Sequence, residues 1–170
     1  MSADLAAFLR DALGVTPADL TPFQDALTHP SHGKRNYQRL EFLGDRVLGL
    51  VIAEWLFERF PHEPEGQLSH RLTTLVSRAS CGEVGRAIGV PEHLRLGKQA
   101  RADGAAQGDN VVGDAVEALI GALYTIEGLD AARRFVRRHW APLVDAHVLA
   151  TRPPKSLLHE WAEGHGRKPP

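Results

Sequence analysis

The sequence predicts an all-α fold, and three observations carry the prediction. No segment of the 170 residues sustains the period-two alternation of a strand. Apolar residues instead recur at helical spacing, in runs opened by Ser, Thr or Pro and closed by Gly or Pro. The longest run, Arg39 to Phe60 (RLEFLGDRVLGLVIAEWLFERF), reads as one helix that is apolar nearly all round.

Taken in order, Ser2 caps a first helix with Leu5, Phe8, Leu9 and Leu13 at helical spacing, and Gly14 ends it. Thr16-Pro17 and Thr21-Pro22 both look like cap-and-start signals, the second opening a short helix through Phe23, Ala26 and Leu27. His29 to Asn36 is a loop by composition, its two histidines reading as hydrogen-bonded loop residues more readily than as metal ligands. After the long helix, Pro61 and the polar run to Gly66 break the pattern. A helix follows with Leu68, Leu72, Leu75 and Val76 inward, then a shorter one with Val84 and Ile88 that stops at Gly89. Residues 94–110 read as a Gly-rich connector whose Arg95, Lys98 and Arg101 either meet a polyanion or are simply solvated.

The next helix, Val111 to Ile126, carries two charged residues, Asp114 and Glu117, on a face shared with Ala118, Gly121 and Thr125. A last long helix begins near Asp130. Its Arg133, Arg134, Arg137 and Arg138 read as a solvated face or, second, as a phosphate-contacting one. From Thr151 a Pro-rich linker, residues 151–154, leads to one amphipathic helix over 155–163 and no further element. The division expected is a main domain over 1–150, the linker, and an incomplete module over 155–170.

Chain-wide properties narrow the function classes. A length of 170 residues with 43% hydrophobic content suffices for one full core. The net charge of −1 gives no global sign of a nucleic-acid or membrane partner, so any basic surface is local. The single cysteine, Cys81, has no intramolecular disulfide partner and reads as a packing residue. With no signal-like N-terminus and no membrane-length apolar run, the expectation is a cytoplasmic protein.

Chemistry concentrates in four carboxylates. Glu41 and Asp45, four residues apart, share one helix face that continues into Leu48, Ile52, Trp55 and Leu56. Buried carboxylates persist only when paired, protonated or bound to a metal. Asp114 and Glu117 repeat the problem on a second apolar helix, and the small residues beside them let another helix come close. A single cluster of Glu41, Asp45, Asp114 and Glu117 would repel strongly without a divalent cation. Oxygen-only donors favour a hard ion, Mg²⁺ or Mn²⁺, over zinc. Such an ion suits phosphodiester hydrolysis. Salt bridging of each pair by Arg or Lys is the competing account, weaker for two pairs than for one. Glu-x-x-His repeats, an adjacent His-Asp pair and a nucleophile elbow are all missing from the sequence.

Several stretches resemble a known family. Tyr37 to Leu48 (YQRLEFLGDRVL) resembles the signature of the ribonuclease III family, and Gly113 to Tyr124 (GDAVEALIGALY) its second acidic motif. ALTHPS, Ala26 to Ser31, and EGQLS, Glu65 to Ser69, match in order and spacing, so the resemblance covers about residues 5 to 148. The tail from Pro154 is similar to the opening helix of the double-stranded-RNA-binding domain of bacterial members, without that domain's sheet and closing helix.

The resemblance implies the ribonuclease III endonuclease-domain helical fold and a symmetric homodimer. It also implies a Mg²⁺-dependent endoribonuclease, Mn²⁺ able to substitute, that cuts double-stranded RNA in RNA processing, including rRNA processing. Products would carry 5′-phosphate and 3′-hydroxyl ends with a short 3′ overhang. The family's metal ligands fall on Glu41, Asp45, Asp114 and Glu117, with Asp45 and Glu117 as the catalytic pair. Glu65 sits where the family contacts RNA, although a carboxylate at a helix start is also adequate for that position. Phe42 matches the dimer-contact aromatic. Two positions depart from the family pattern: Gln38 stands where many members have Glu, and Arg46 where many have Ser. A non-catalytic double-stranded-RNA-binding or assembly protein on the same fold is the alternative, and four intact carboxylates count against it.

Overall fold

The most continuously buried stretch among the described residues belongs to a helix near the end of the chain. The computed structural model describes the backbone of residues 2–150 and the side chains of 3–146, and the expected helix over 155–163 lies outside them. It divides into two compact units, Met1–Trp140 and Ala141–Pro170. The acidic site lies within the first.

Eight α-helices follow one another among the described residues: α1 (Ser2–Phe8), α2 (Thr21–Ala26), α3 (Gln38–Arg59), α4 (Glu65–Leu75), α5 (Arg78–Ala87), α6 (Val90–His93), α7 (Lys98–Ala102) and α8 (Asp109–Ala150). No strand forms among them. One isolated parallel bridge pairs Thr28 with Arg95. The all-α expectation therefore holds.

From Val112 to Leu123 the side of α8 that meets other elements is fully enclosed: Val112, Ala115, Val116, Ala118, Leu119, Ile120, Ala122 and Leu123 are all buried. Removing each large apolar side chain from water contributes roughly 2 kcal/mol, which offsets the cost of bringing charged groups into the same region. Around it stand Leu48, Val51, Ile52 and Leu56 of α3, Leu75 of α4, Cys81 and Val84 of α5, and Trp140, whose indole N–H donates to the Leu75 carbonyl at 2.8 Å.

Several expectations need correcting. The first helix ends in a π-helical turn, Leu9–Leu13, before Gly14 closes it at φ 73°. Thr16-Pro17 opens no helix, and α2 begins with Thr21 inside it, its amide donating to Asp19 Oδ1 at 2.9 Å. On α4 the inward residues are Leu75 and, unexpectedly, Arg71, with Leu68 and Leu72 only half-buried. Arg71 is enclosed because its guanidinium makes a bidentate pair with Glu63 at 2.6 and 2.7 Å and lies 4.0 Å from the Phe60 ring centroid. The segment 94–110 is not a plain connector: it holds α7 and a 3₁₀ turn, Ala105–Gln107.

The last two predicted helices run together as α8, interrupted at Gly128, whose φ of 81° only glycine adopts without strain. Arg133 and Arg137 are neither a free solvated face nor open to phosphate. They reach across to α3, Arg133 to Glu54 at 2.8 Å and Arg137 to Glu58 at 2.6 Å. Arg134 and Arg138 do stay exposed.

Candidate metal centre

The crossing of α3 and α8 sets the site. A Cβ on Gly44 would overlap the Glu117 carbonyl, and one on Gly121 would overlap the Leu40 carbonyl, so the two backbones touch where those glycines meet. Gly85 admits the Val112 and Val116 methyl groups in the same way, which lays α5 along the other flank of α8. Glu41 stands one turn before Gly44, and Asp114 stands one turn before Glu117. The contact therefore carries these three acids to one place.

One carboxylate oxygen from each of Glu41, Asp114 and Glu117 lies within 4.8 Å of the others. Glu117 is the most enclosed, at 9% exposure, and the other two are half-buried. Burial, then the charges of Asp114 and Glu41, push the Glu117 carboxyl up to about 7, despite a thiol hydrogen bond and Arg78 acting the other way. Glu41 is raised by burial and by Asp114, against Arg78. Asp114 is raised by burial, opposed by the Tyr37 hydroxyl, Arg78 and His29. Three acids that hinder one another's ionisation form a hard, oxygen-only donor set, which fits a divalent cation such as Mg²⁺ or Mn²⁺.

Asp45 is not brought into this group. Its side chain, 37% exposed, pairs with the neighbouring Arg46. The Arg46 guanidinium also lies 5.2 Å from the Phe42 ring centroid, which shows what that unexpected arginine contacts. Glu65 opens α4 and accepts the Ser69 hydroxyl at 2.6 Å. Phe42 is 67% exposed and so is no part of the core. Gln38 is exposed at the start of α3, its backbone N–H donating to Asn36 Oδ1 at 3.1 Å.

Three further residues border the acids without having been singled out for the site. Tyr37, 3% exposed, donates its hydroxyl to Asp114 Oδ2 at 3.2 Å. Cys81, fully buried, sets its thiol 3.8 Å from Glu117 Oε1, and burial followed by Glu117 pushes that thiol far up. Arg78, exposed at the start of α5, is the cation that favours ionisation of all three acids. Tyr37 lies inside the stretch that resembles the first acidic motif. Nothing in the pattern around Arg78 or Cys81 marks either one, because their position depends on how α5 packs.

The sequence and the fold both have counterparts among known proteins. A family model described as Ribonuclease-III-like matches residues 20–143. The chain is 56% identical over 164 residues to Ribonuclease 3 of Zymomonas mobilis, covering 96% of this chain and 67% of that protein. It is 45% identical over 148 residues to Ribonuclease 3 of Dinoroseobacter shibae, covering 85% and 65%. Among solved structures, the nuclease domain of ribonuclease III from Campylobacter jejuni superposes with a TM-score of 0.75 at 31% identity. The match covers 79% of this chain and 97% of that one, which was described for structural flexibility in a region involved in dimer formation. The chain thus spans about two thirds of the length of these two Ribonuclease 3 relatives.

Proposed function

The chain belongs to the ribonuclease III family of endoribonucleases, and from that premise we propose that it hydrolyses phosphodiester bonds of double-stranded RNA with Mg²⁺, Mn²⁺ able to substitute. The observation that carries this reading is the meeting of Glu41, Asp114 and Glu117 within 4.8 Å at the α3–α8 crossing. These three residues would hold a divalent cation, with Asp45 joining them once released from Arg46. Such an ion supplies positive charge against phosphate oxygens and makes water a stronger acid.

The chain's own residues do the rest. Glu117 shares the site with two other acids and, freed of its proton, is a base beside the phosphate. Arg78, at the mouth of the site, draws a polyanion toward carboxylates that would otherwise repel it. Glu65 contacts the RNA. The products carry 5′-phosphate and 3′-hydroxyl ends with a short 3′ overhang, and the biological task is RNA processing, rRNA included, in the cytoplasm. Among the described residues no helix is long and apolar enough to cross a membrane.

A homodimer completes the reading. Phe42, Leu50 and Phe57 are 67%, 57% and 73% exposed, and their spacing of eight and seven places them within about 80° of one another on α3. Three large apolar side chains in one stripe favour a second copy of the same surface over water. Incubating the protein with long duplex RNA, with and without Mg²⁺, tests the whole. Metal-dependent cleavage is expected, and binding without cleavage would favour the non-catalytic alternative.

A further inference from the structure

Asp114 accepts a hydrogen bond from the buried hydroxyl of Tyr37. No other side chain donates a hydrogen bond to Asp114 among the described residues, and the Tyr37 hydroxyl takes one of its two oxygens at 3.2 Å. With that oxygen engaged, the rotation of the carboxyl about its own bond is fixed and the remaining oxygen is available to a ligand. Among the described residues Glu117 has only a thiol at 3.8 Å, a weak donor, and Glu41 no side-chain donor.

Tyr37 is itself held with unusual care for a residue that precedes a helix. Its amide donates to the Thr28 carbonyl at 3.0 Å. The Thr28 segment is in turn tied to the chain at Arg95, by Arg95 N–H to the Leu27 carbonyl at 2.8 Å and His29 N–H to the Arg95 carbonyl at 2.9 Å. Ser31 closes the clamp, its hydroxyl accepting the Gly97 amide at 3.0 Å and lying 2.7 Å from His29 Nδ1. The His29 ring then stands edge-on to the Tyr37 ring, centroids 5.7 Å apart at 79°. A buried tyrosine that only filled space would be served by any carbonyl. This one is braced on the ring and on the backbone, and its hydroxyl is committed to a carboxylate of the cluster.

We propose that Tyr37 is a positioning residue of the metal centre, presetting the Asp114 carboxyl for the cation through its hydroxyl. The inference rests on reading the three acids as a divalent-cation site. Partners of this kind typically change metal affinity by about 10- to 100-fold when removed.

Mn²⁺ binding without RNA, followed by electron paramagnetic resonance of the free ion, separates the possibilities. Tyr37→Phe keeps the ring and removes the hydroxyl, and is expected to weaken Mn²⁺ binding by about 10-fold. Wild-type affinity in that variant overturns the proposal while leaving the metal site intact. No binding by the wild-type protein overturns both. A second measurement needs no change at Tyr37. The chain has two tyrosines, so a Tyr124→Phe background leaves Tyr37 alone in the tyrosine Raman doublet, which reports phenol hydrogen bonding. Mg²⁺ should alter that doublet as it draws charge from Asp114, and an unchanged doublet at saturating Mg²⁺ overturns the proposal.

Discussion

Gly44 of α3 lies directly against the backbone carbonyl of Glu117 on α8, with no room between them for a methyl group. The approach that lets Glu41 meet Asp114 and Glu117 is therefore set by the absence of a side chain. Gly44→Ala must push the helices apart, since the obstacle is backbone and not the end of a flexible side chain. We expect a loss of about 3 kcal/mol or more in chemical denaturation, together with weakened divalent-cation binding. Wild-type stability in that variant would show that the helices are not in contact there.

Stability without metal should fall as pH rises. A carboxyl whose folded pKa lies above its unfolded value holds its proton more tightly when folded, so stability is greatest below the ordinary value of 4.5 and declines through about 7 for Glu117. Glu41, through burial and the charge of Asp114, and Asp114, through burial, are displaced in the same direction. Melting in EDTA at pH 5 and pH 8 should show a loss on the order of 2 kcal/mol at the higher pH. A saturating divalent cation should reduce that loss. An increase in melting temperature from pH 5 to 8 in EDTA would contradict the account.

The Arg71–Glu63 pair makes a prediction about the fold alone. Arg71 is 3% exposed and Glu63 is 20% exposed at the side chain, so truncating the acid removes a bidentate ion pair from a buried guanidinium. Glu63→Ala should cost about 3 kcal/mol, and exchange of Lys for Arg71 should recover little of the bidentate geometry. Urea denaturation of both variants checks this.

The stripe on α3 predicts assembly. Phe57→Glu places a charge on the exposed apolar stripe, and it should shift the protein from dimer to monomer in sedimentation velocity with little change in helical content. A variant that remains dimeric at low micromolar concentration would remove Phe57 from the interface.

Much of this was legible in the sequence, for reasons that differ by residue. The all-α class and the extent of α3 followed from periodicity, and Asp114 and Glu117 stood out as the charged residues of an apolar helix. That Glu41 meets them was readable because Gly121 leaves room for a neighbour. The position of Asp45 was not, because a neighbour one residue away, Arg46, competes for it and helical spacing says nothing about that competition. Arg71 was hidden because a cation on an inward face looks like an error until Glu63 and Phe60 are seen around it. Cys81 and Arg78 were hidden because α5 reaches the site only through tertiary packing. Arg133 and Arg137 were misread because their partners, Glu54 and Glu58, lie 79 residues away on α3.

The central claim is that the acids at the α3–α8 crossing perform the cleavage and do not merely support the fold. Glu117→Gln tests it most directly, because the amide keeps the shape of the side chain and removes its charge. With Mg²⁺ and long duplex RNA, the variant should retain the helical content and dimer of the wild type but lose cleavage, and in EDTA it should melt no lower than the wild type. Full cleavage by Glu117→Gln would contradict the catalytic account, and a clear drop in its EDTA melting temperature would mark Glu117 as a structural ion-pair partner instead.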